Sequence, residues 1–414
     1  MNRRDFFNTA VVAGALSSAS AKERVTASVG RLGIASVEPI VVGRTTGIGA
    51  WVFVRIRTDQ GLEGIGECYP WTGAKGMPEA VRGMGVRIIA ADARDIQQIV
   101  SRLAPQGFRD SFGDTRPGCA REAYAALSGI EIALWDLLGK AVGLPVHALL
   151  GGKVRDRILL YANHRTFLYG AKTMEERIER ALQAKANGYR IFKWDPTPYY
   201  GPRGKNDIGK VLHEIAAFRK ALGDDFGLAI DCHNNLTYEA GVTLARELEG
   251  LKILFWEAPL LWEDGVTGKS ACELYQRLAE ITSVPIADGE WLCTRGELKE
   301  VLDRARIRIY QPEVTTNGGI LETFRAGALA EAYGASVSAH HWCGPVAVCA
   351  TAHVCSALPN LHYEEFGGAA PEAAWEAEVI EPPNRIERGE LVVPDRPGLG
   401  FRLNEKLLAK RRIA

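Results

Sequence analysis

The chain has 414 residues, of which 47% are hydrophobic and 24% charged, a composition typical of a globular protein with room for two domains. The 50 lysine and arginine residues balance the 50 aspartate and glutamate residues, so no basic surplus predicts a nucleic-acid partner. The eight cysteines form no C-x-x-C pair, so the sequence indicates neither a zinc site of that kind nor a small disulfide framework.

The first 21 residues resemble a twin-arginine export signal. An arginine pair at 3–4 precedes two phenylalanines and a small apolar run, which ends in Ala19-Ser20-Ala21, a sequence like an A-x-A cleavage site. We therefore expect cleavage after Ala21 and export to the periplasm. The alternative is a cytoplasmic protein with a chance arginine pair. No later apolar run reaches the roughly 20 residues of a membrane-spanning helix, so we expect no membrane span in the mature chain.

The pattern over residues 30–150 predicts a first domain in which strands are followed by helices. The stretch 51–67, WVFVRIRTDQGLEGIGE, alternates between apolar and polar residues, turns at 59–61 and alternates again, which predicts a hairpin. Helical patterns follow over 76–110 and 119–143, the second ending before Pro145. This order is typical of an α+β domain.

From about residue 157, short apolar strands alternate with amphipathic helical stretches. The predicted strands are RILLYANH, YRIFKWDP, FGLAIDCH, ILFWEAPL, VPIADGE, RIRIYQPE, ASVSAHH and LHYEEF. Apolar strands that alternate with helices indicate a parallel sheet with helices outside, and eight such strands fit a (β/α)8 barrel. A doubly wound sheet is the alternative, but no G-x-G-x-x-G or G-K-[ST] motif follows the first strand.

Polar residues stand at the ends of seven successive predicted strands. They are Lys193 and Asp195, Asp231 and His233, Glu257, Glu290, Glu313, His340, and Glu365. One such residue alone is more often a helix cap or a solvated loop residue, but barrel strand ends meet at one mouth, where active sites lie. Asp231, Glu257 and Glu290 are carboxylates on three consecutive strands, and oxygen ligands of this kind suit Mg²⁺. Asp288 shares strand parity with Glu290 and is an alternative ligand.

These motifs resemble the enolase superfamily, in particular its mandelate racemase/muconate lactonizing enzyme branch with the acid-sugar dehydratases. The likeness covers 30–410. ALSGIEIALWDLLGKAVGLPVHALLGG (126–152) is similar to the family's domain junction, and DCH, WEAP, IADGE, QPE and HHWCGP follow in the family's order. The resemblance implies an α/β fold, a modified TIM barrel (β/α)7β over 151–366. It also implies an α+β capping domain over 30–150, which a C-terminal segment over 367–414 completes.

The resemblance also implies roles for the residues at the strand ends. The implied ligands of one divalent cation, Mg²⁺, are Asp231, Glu257 and Glu290. His340 and Glu313 match the histidine–carboxylate dyad that acts as the general base in the family. His233 resembles the general acid of galactonate-dehydratase-type enzymes. Glu365 matches an acid that hydrogen-bonds the enediolate intermediate. The implied partner is a small-molecule sugar-acid carboxylate, and a homo-oligomer is expected.

Two departures from the family's pattern bear on the reaction. Lys193 and Asp195 stand where the racemase pattern has K-x-K, and loss of the second lysine weakens the case for racemisation by two bases. Glu313 stands where an aspartate is common, and its extra methylene changes the reach toward His340. His341 would be the base if the register slipped by one residue.

We therefore predict a lyase, a Mg²⁺-dependent dehydratase of an aldonate-like sugar acid. One alternative is a racemase or epimerase on the same scaffold, and another is an exported, non-catalytic binder of sugar acids. A barrel glycosidase fits less well, because paired carboxylates suffice there. Substrate specificity is expected in capping-domain loops around 45–50 and 69–76.

Overall fold

The computed structural model describes residues 30–44, 50–69, 73–104, 119–163, 167–168, 170–196, 207–260, 269–366 and 371–413. The export signal predicted over 1–21 lies outside these ranges and stays a prediction. Residues 45–49 and 70–72 of the two expected specificity loops also lie outside them. In the part of the chain that is described, no helix combines the length and apolar character needed to cross a membrane.

The N-terminal domain begins with a three-stranded antiparallel sheet, whose strands β1, β2 and β3 are Ile34–Gly43, Ala50–Thr58 and Glu63–Cys68. The predicted hairpin joins β2 to β3. Three helices follow: α1 (Gly73–Gly85), α2 (Ile96–Leu103) and α3 (Cys119–Val142). The helix predicted over 76–110 is interrupted, because residues 90–93 form backbone hydrogen bonds with residues 32–34 beside β1.

Strand β3 and helix α3 lie in direct backbone contact because glycines stand at the crossing. A Cβ atom added at Gly66 would lie 2.0 Å from the backbone oxygen of Gly129, and one at Gly64 would lie 2.1 Å from that of Ala133. No side chain fits at these distances. The close approach fixes α3 flat against the sheet.

A short helix, α4 (Val146–Leu149), leads into a barrel of eight parallel strands. The strands β4 to β11 are Arg157–Asn163, Ile191–Trp194, Gly227–Asp231, Ile253–Glu257, Ile286–Asp288, Ile309–Tyr310, Ser336–Ala339 and Leu361–Phe366. The intervening helices α5 to α11 are Met174–Ala186, Ile208–Leu222, Tyr238–Leu248, Lys269–Ala279, Arg295–Arg304, Ile320–Ala332 and Pro345–Ala357. Strand β11 pairs with β4 in parallel and closes the barrel. The predicted (β/α)7β barrel with its capping domain is confirmed.

The C-terminal segment contacts both parts of the molecule. It comprises β12 (Ile380–Glu381), β13 (Ile386–Glu387), β14 (Glu390–Val392), β15 (Arg402–Leu403) and a last helix, α12 (Glu405–Arg411). Strand β14 adds to β4 in antiparallel fashion, and β12 pairs with β15. The chain then returns to the first sheet, where the Ile413 nitrogen donates to the Val41 oxygen over 3.0 Å.

Two buried glutamates of the capping domain bind the N-termini of barrel helices. Glu131 on α3 accepts from the backbone nitrogens of Ile320 (2.7 Å) and Leu321 (3.0 Å) at the start of α10. Glu67 on β3 accepts from the nitrogens of Gly344 and Ala347 at the start of α11. The first turn of a helix has free N–H groups, so these carboxylates satisfy donors that would otherwise lack partners. They hold the capping domain over the strand ends that precede those helices.

The crossing of β3 and α3 generates a stability prediction. Gly66→Ala should lower the free energy of unfolding by about 3 kcal/mol or more, because the new methyl group meets backbone rather than a movable side chain. Gly83→Ala is the matched control, since Gly83 is exposed on α1 with nothing within 4 Å of an added Cβ. It should be neutral or stabilising by about 0.5–1 kcal/mol. Urea denaturation measures both, and equal effects would contradict the proposed close approach.

Candidate active site

The nine site residues predicted from the sequence meet at the carboxyl end of the barrel in one connected network. The parallel register aligns the strand ends, with Asp231 of β6 directly paired to Glu257 of β7. Ion pairs and hydrogen bonds of 3.9 Å or less connect all nine: Lys193, Asp195, Asp231, His233, Glu257, Glu290, Glu313, His340 and Glu365. Separate helix caps would have no reason to touch one another in this way.

Lys193 lies at the centre of the network. Its Nζ is 2.7 Å from Glu257 Oε2, 3.3 Å from Glu365 Oε1 and 3.5 Å from Asp231 Oδ2, and the residue is 1% exposed. Burial alone would lower the pKa of this amine. The carboxylates of Glu257, Glu365 and Asp231 outweigh burial and raise the pKa well above its ordinary value, so Lys193 stays charged.

His340 lies between two carboxylates. Its Nδ1 is 3.0 Å from Glu313 Oε2 and its Nε2 is 2.6 Å from Glu290 Oε2. Glu313 therefore reaches His340 despite the extra methylene. Burial would lower the pKa of His340, but the charge of Glu290 and both hydrogen bonds raise it well above the ordinary value. His341 lies differently: its backbone nitrogen donates to Glu365, and its ring Nδ1 is buried with no hydrogen-bond partner in the described part of the chain.

His233 stands between Asp195 and Asp231. Its Nδ1 is 3.3 Å from Asp195 Oδ2, and its Nε2 is 3.2 Å from Asp231 Oδ2. A left-handed backbone, with φ of 45°, turns the chain directly after Asp231, and the His233 nitrogen donates to Asp231 Oδ1 over 2.8 Å. Burial disfavours the imidazolium, yet Asp231 and Asp195 together raise its pKa to about 9. In this arrangement His233 is mostly protonated at neutral pH.

The neighbour between Lys193 and Asp195 faces the other way, as strand alternation predicts. The Trp194 ring stacks on Phe218 of α6 with 4.4 Å between ring centres, and its Nε1 donates to Glu214 over 3.2 Å. Lys193 and Asp195 therefore point into the mouth while Trp194 packs against the helix layer.

Comparisons with known proteins identify the family of the chain. Residues 26–151 match the mandelate racemase/muconate lactonizing enzyme N-terminal domain, and residues 174–407 match the enolase C-terminal domain-like family. A D-gluconate dehydratase from Thermoproteus tenax is 31% identical over 385 residues, which cover 92% of this chain and 74% of that protein. A D-galactonate dehydratase from Verminephrobacter eiseniae is 31% identical over 366 residues, which cover 87% of this chain and 91% of that protein.

Solved structures give the same result. The mandelate racemase/muconate lactonizing enzyme from Jannaschia sp. CCS1 is 30% identical with a TM-score of 0.81, and the match covers 92% of this chain and 98% of that one. The corresponding protein from Sulfitobacter sp. is 29% identical with a TM-score of 0.81, over 92% and 96% of the two chains. The chain belongs to the mandelate racemase/muconate lactonizing enzyme branch of the enolase superfamily.

In this superfamily member, Glu290 rather than Asp288 joins the network. Asp288 Oδ2 accepts from the Tyr275 hydroxyl on α8 over 2.7 Å, and its Oδ1 accepts from the Gly289 nitrogen over 2.7 Å. Gly289 has a φ of 130°, which ends the strand alternation and brings Glu290 toward His340. Asp288 was an alternative metal ligand because alternate residues of a strand face the same way. That rule applies only as far as the strand extends.

Three carboxylates of the network have the donor chemistry of a magnesium site. Glu257 Oε1 is buried without a hydrogen-bond partner among the described residues, and burial together with the charge of Asp231 raises the pKa of Glu257 to about 8. Within the described ranges, however, no group of three or more His, Cys, Asp or Glu side chains is arranged to hold a metal ion. A basic side chain contacts each predicted metal ligand: Lys193 contacts Glu257, His233 contacts Asp231 and His340 contacts Glu290. The carboxylate oxygens of the three predicted ligands suit Mg²⁺ chemically. The acidic residues of the network also outnumber its basic side chains.

Further side chains that were missed from the sequence join the network, among them Gln311, Asn163 and Tyr161. Gln311 Nε2 donates to Glu257 Oε2 over 2.6 Å, and Asn163 Nδ2 donates to Glu365 Oε1 over 2.9 Å. The Tyr161 hydroxyl donates to Glu365 Oε2 over 3.3 Å. Asn163 ends the first barrel strand, so the strand-end rule could have found it. Gln311 precedes Pro312-Glu313 at the end of β9 and carries the same signal.

The central ion pairs generate a prediction on stability and its pH dependence. Lys193→Met should destabilise the protein by about 3–5 kcal/mol in the presence of EDTA, because buried carboxylates lose their counter-charge. The pKa of Glu257 is already raised from 4.5 to about 8. The folded state therefore binds that proton more tightly than the unfolded chain, and stability falls as pH rises through this window. The loss of unfolding free energy in Lys193→Met should be larger near about pH 8 than near about pH 5.

Lys252→Met is the control for this experiment. Lys252 pairs with Asp224 on the surface and is 56% exposed. Its replacement should change the unfolding free energy by less than about 0.5 kcal/mol at either pH. Urea midpoints for the two variants at both pH values test the prediction, which fails if Lys193→Met has no larger effect than the surface change.

Proposed function

We propose that the protein is a dehydratase of a sugar acid, a lyase that removes the proton α to a carboxylate and expels the β-hydroxyl. The observation that carries the proposal is a pair of histidines in different settings within one network. His340 is held by Glu313, and His233 is held by Asp195. Dehydration needs one group to take a carbon-bound proton and another to protonate the leaving oxygen. The relatives named as gluconate and galactonate dehydratases support the same reaction class.

His340 is proposed as the base. Glu313 Oε2 lies at the Nδ1 position, so an Nδ1–H would donate to it and leave the Nε2 lone pair facing the mouth. Nε2 now contacts Glu290. His340 must therefore give up the proton at Nε2 before it can take one from the substrate. Glu313 holds the ring orientation in both states and stabilises the imidazolium that forms.

His233 is proposed as the acid. Asp195 Oδ2 accepts from Nδ1 and holds the ring, while Nε2 contacts Asp231 Oδ2. The Nε2–H must therefore turn from Asp231 to the departing hydroxyl when it is given up. The His233 side chain is 26% exposed, compared with 10% for that of His340, which gives the β-hydroxyl access to Nε2. Asp195 takes the place of the second lysine of the racemase pattern, which supports elimination rather than proton return from a second lysine.

Lys193 is proposed to bind the substrate carboxylate, since its charge is kept by the surrounding acids. Glu365 would lie beside the negative charge that develops on proton removal, where Asn163 and Tyr161 hold its oxygens. Lys193 and His340 outweigh burial and hold the pKa of Glu365 below the ordinary value, so Glu365 must take up a proton before it can donate a hydrogen bond there. Membership of the superfamily implies Mg²⁺, which Asp231, Glu257 and Glu290 would hold. When bound, the cation supplies Lewis-acid stabilisation of the developing charge.

Glu290, the third proposed metal ligand, is the basis of a prediction about Mg²⁺ binding. Glu290→Gln should weaken Mg²⁺ binding by at least about 10–100-fold, because even changes behind a metal ligand commonly cost that much. Asp288→Asn is the matched control and should leave affinity within about twofold, since Asp288 bonds Tyr275 outside the network. Isothermal titration calorimetry of EDTA-stripped protein gives both affinities. Weak binding by Asp288→Asn with normal binding by Glu290→Gln would reverse the assignment.

The division of labour between the histidines generates a second prediction. His340→Asn should lose both keto-acid formation and exchange of the α hydrogen with D₂O, because the base is gone. His233→Asn should lose dehydration by about 10²–10⁴-fold, the usual contribution of a general acid, and keep exchange. Each variant is incubated with candidate sugar acids and Mg²⁺, and exchange is followed by NMR together with 2-keto-3-deoxy acid release.

The same assay separates the rival functions. An epimerase would exchange the α hydrogen and release no keto acid, and a non-catalytic binder would do neither. If His341→Asn loses exchange while His340→Asn keeps it, the base is one residue further along the chain. If His233→Asn dehydrates normally, its role as general acid is excluded.

A further inference from the structure

A buried hydroxyl group lies behind Glu313, in the turn that follows β9. Thr315 is fully buried, and its Oγ1 donates to Glu313 Oε1 over 2.6 Å, while its backbone nitrogen donates to the same oxygen over 3.1 Å. The other oxygen of Glu313, Oε2, lies 3.0 Å from His340 Nδ1 and accepts from the Trp342 nitrogen over 3.2 Å. Two donors therefore hold each oxygen of Glu313.

The hydroxyl proton of Thr315 points in one direction. Burial would raise the pKa of Glu313, but the hydrogen bond and charge of His340 lower it, so Glu313 is a carboxylate that only accepts. Thr315 Oγ1 also lies 3.1 Å from Cys343 Sγ, and burial raises the pKa of that thiol well above its ordinary value. The thiol keeps its proton and donates it to Thr315, which donates its own proton to Glu313.

Glu313 needs more than its own turn to hold one conformation. An acidic side chain in a turn commonly accepts from the backbone nitrogen two residues on, as Glu313 does from Thr315. A glutamate has one more rotatable bond than an aspartate and loses more rotamer freedom when it is fixed. The hydroxyl of Thr315 adds a charge-assisted hydrogen bond at Oε1. That bond fixes the rotation of the carboxylate, which decides whether Oε2 points to His340.

We propose that Thr315 is a positioning residue for the base: its hydroxyl, oriented by Cys343, holds the Glu313 carboxylate with Oε2 against His340 Nδ1. This inference rests on the proposed function, in which His340 takes the α proton. Because Thr315 is fully buried and acts through Glu313, it affects the rate of proton abstraction and not the binding of substrate.

Replacement of the hydroxyl alone tests the proposal. Thr315→Val keeps the shape of the side chain and removes the donor. It should lower kcat and the rate of α-hydrogen exchange by about 10–100-fold, the range for one hydrogen bond to a charged group, and change KM by less than about threefold. Thr315→Ser restores the donor and should stay within about threefold of the wild-type rate. Loss of rate in both variants alike would contradict a role for the hydroxyl.

Thr351→Val is the matched control. Thr351 on α11 is 1% exposed, and its hydroxyl has no hydrogen-bond partner among the described residues, so the same substitution removes no contact there. Its kcat and KM should stay within about twofold of the wild-type values.

A double variant tests whether Thr315 acts through Glu313. Thr315→Val added to Glu313→Gln should cost less than about threefold beyond Glu313→Gln alone, because both changes remove one shared interaction. Losses that multiply would show that Thr315 acts independently of Glu313 and would overturn the proposal.

A second readout needs neither substrate nor metal. In full-length protein labelled with ¹⁵N-histidine and treated with EDTA, the Nδ1–H proton signal of His340 is assigned by its absence in His340→Asn. This signal should move upfield or disappear through exchange with water in Thr315→Val, and stay in Thr315→Ser and Thr351→Val. Thr315→Ala removes the same hydroxyl and replaces Thr315→Val if that variant does not fold.

An unchanged His340 signal in the variant without the hydroxyl would overturn the proposal. If no sugar acid is dehydrated, the proposed function fails separately, and the proton signal alone decides the role of Thr315. Its loss in Thr315→Val and its recovery in Thr315→Ser support the positioning of Glu313 whatever the substrate.

Discussion

The structure depends on a buried lysine surrounded by carboxylates. Lys193 contacts Glu257, Glu365 and Asp231, and each of these belongs to a different strand. Carboxylates removed from water are costly unless an opposite charge or hydrogen-bond donors replace the lost hydration. The barrel meets this requirement only if its strands align in one register, so the charge cluster and the closed sheet depend on each other. The same excess of acid favours the charged form of both histidines.

The capping domain is coupled to this cluster through the barrel helices. Glu131 binds the start of α10 and Glu67 binds the start of α11, the helices that follow the strands ending near Glu313 and His340. A shift of the first domain would therefore move those loops. The glycines that let β3 lie on α3 keep Glu67 and Glu131 at a fixed spacing. This spacing links packing far from the mouth to the positions of Glu313 and the proposed base, His340.

Two histidines in one acidic mouth have different neighbours, and the proposed dehydration rests on this difference. His340 is nearly enclosed between Glu313 and Glu290, whereas His233 lies on a turn after β6 and is more exposed. Together the two settings support the proposed division between a base and an acid.

The sequence by itself determined the barrel, its capping domain and the nine residues of the mouth. Apolar strands that alternate with helices admit few folds, and a polar residue at each strand end must face the same side of a parallel barrel. Tertiary structure alone decided between neighbours that share a pattern. Parity could not separate Asp288 from Glu290, because the left-handed Gly289 breaks the alternation beyond the strand. Spacing could not choose His340 over His341, since only the three-dimensional contact with Glu313 distinguishes them. Arg44 carried no signal in the sequence: the two tryptophans beside its guanidinium, one seven residues and the other almost 300 residues away in the chain, meet there only because the capping domain packs on the barrel.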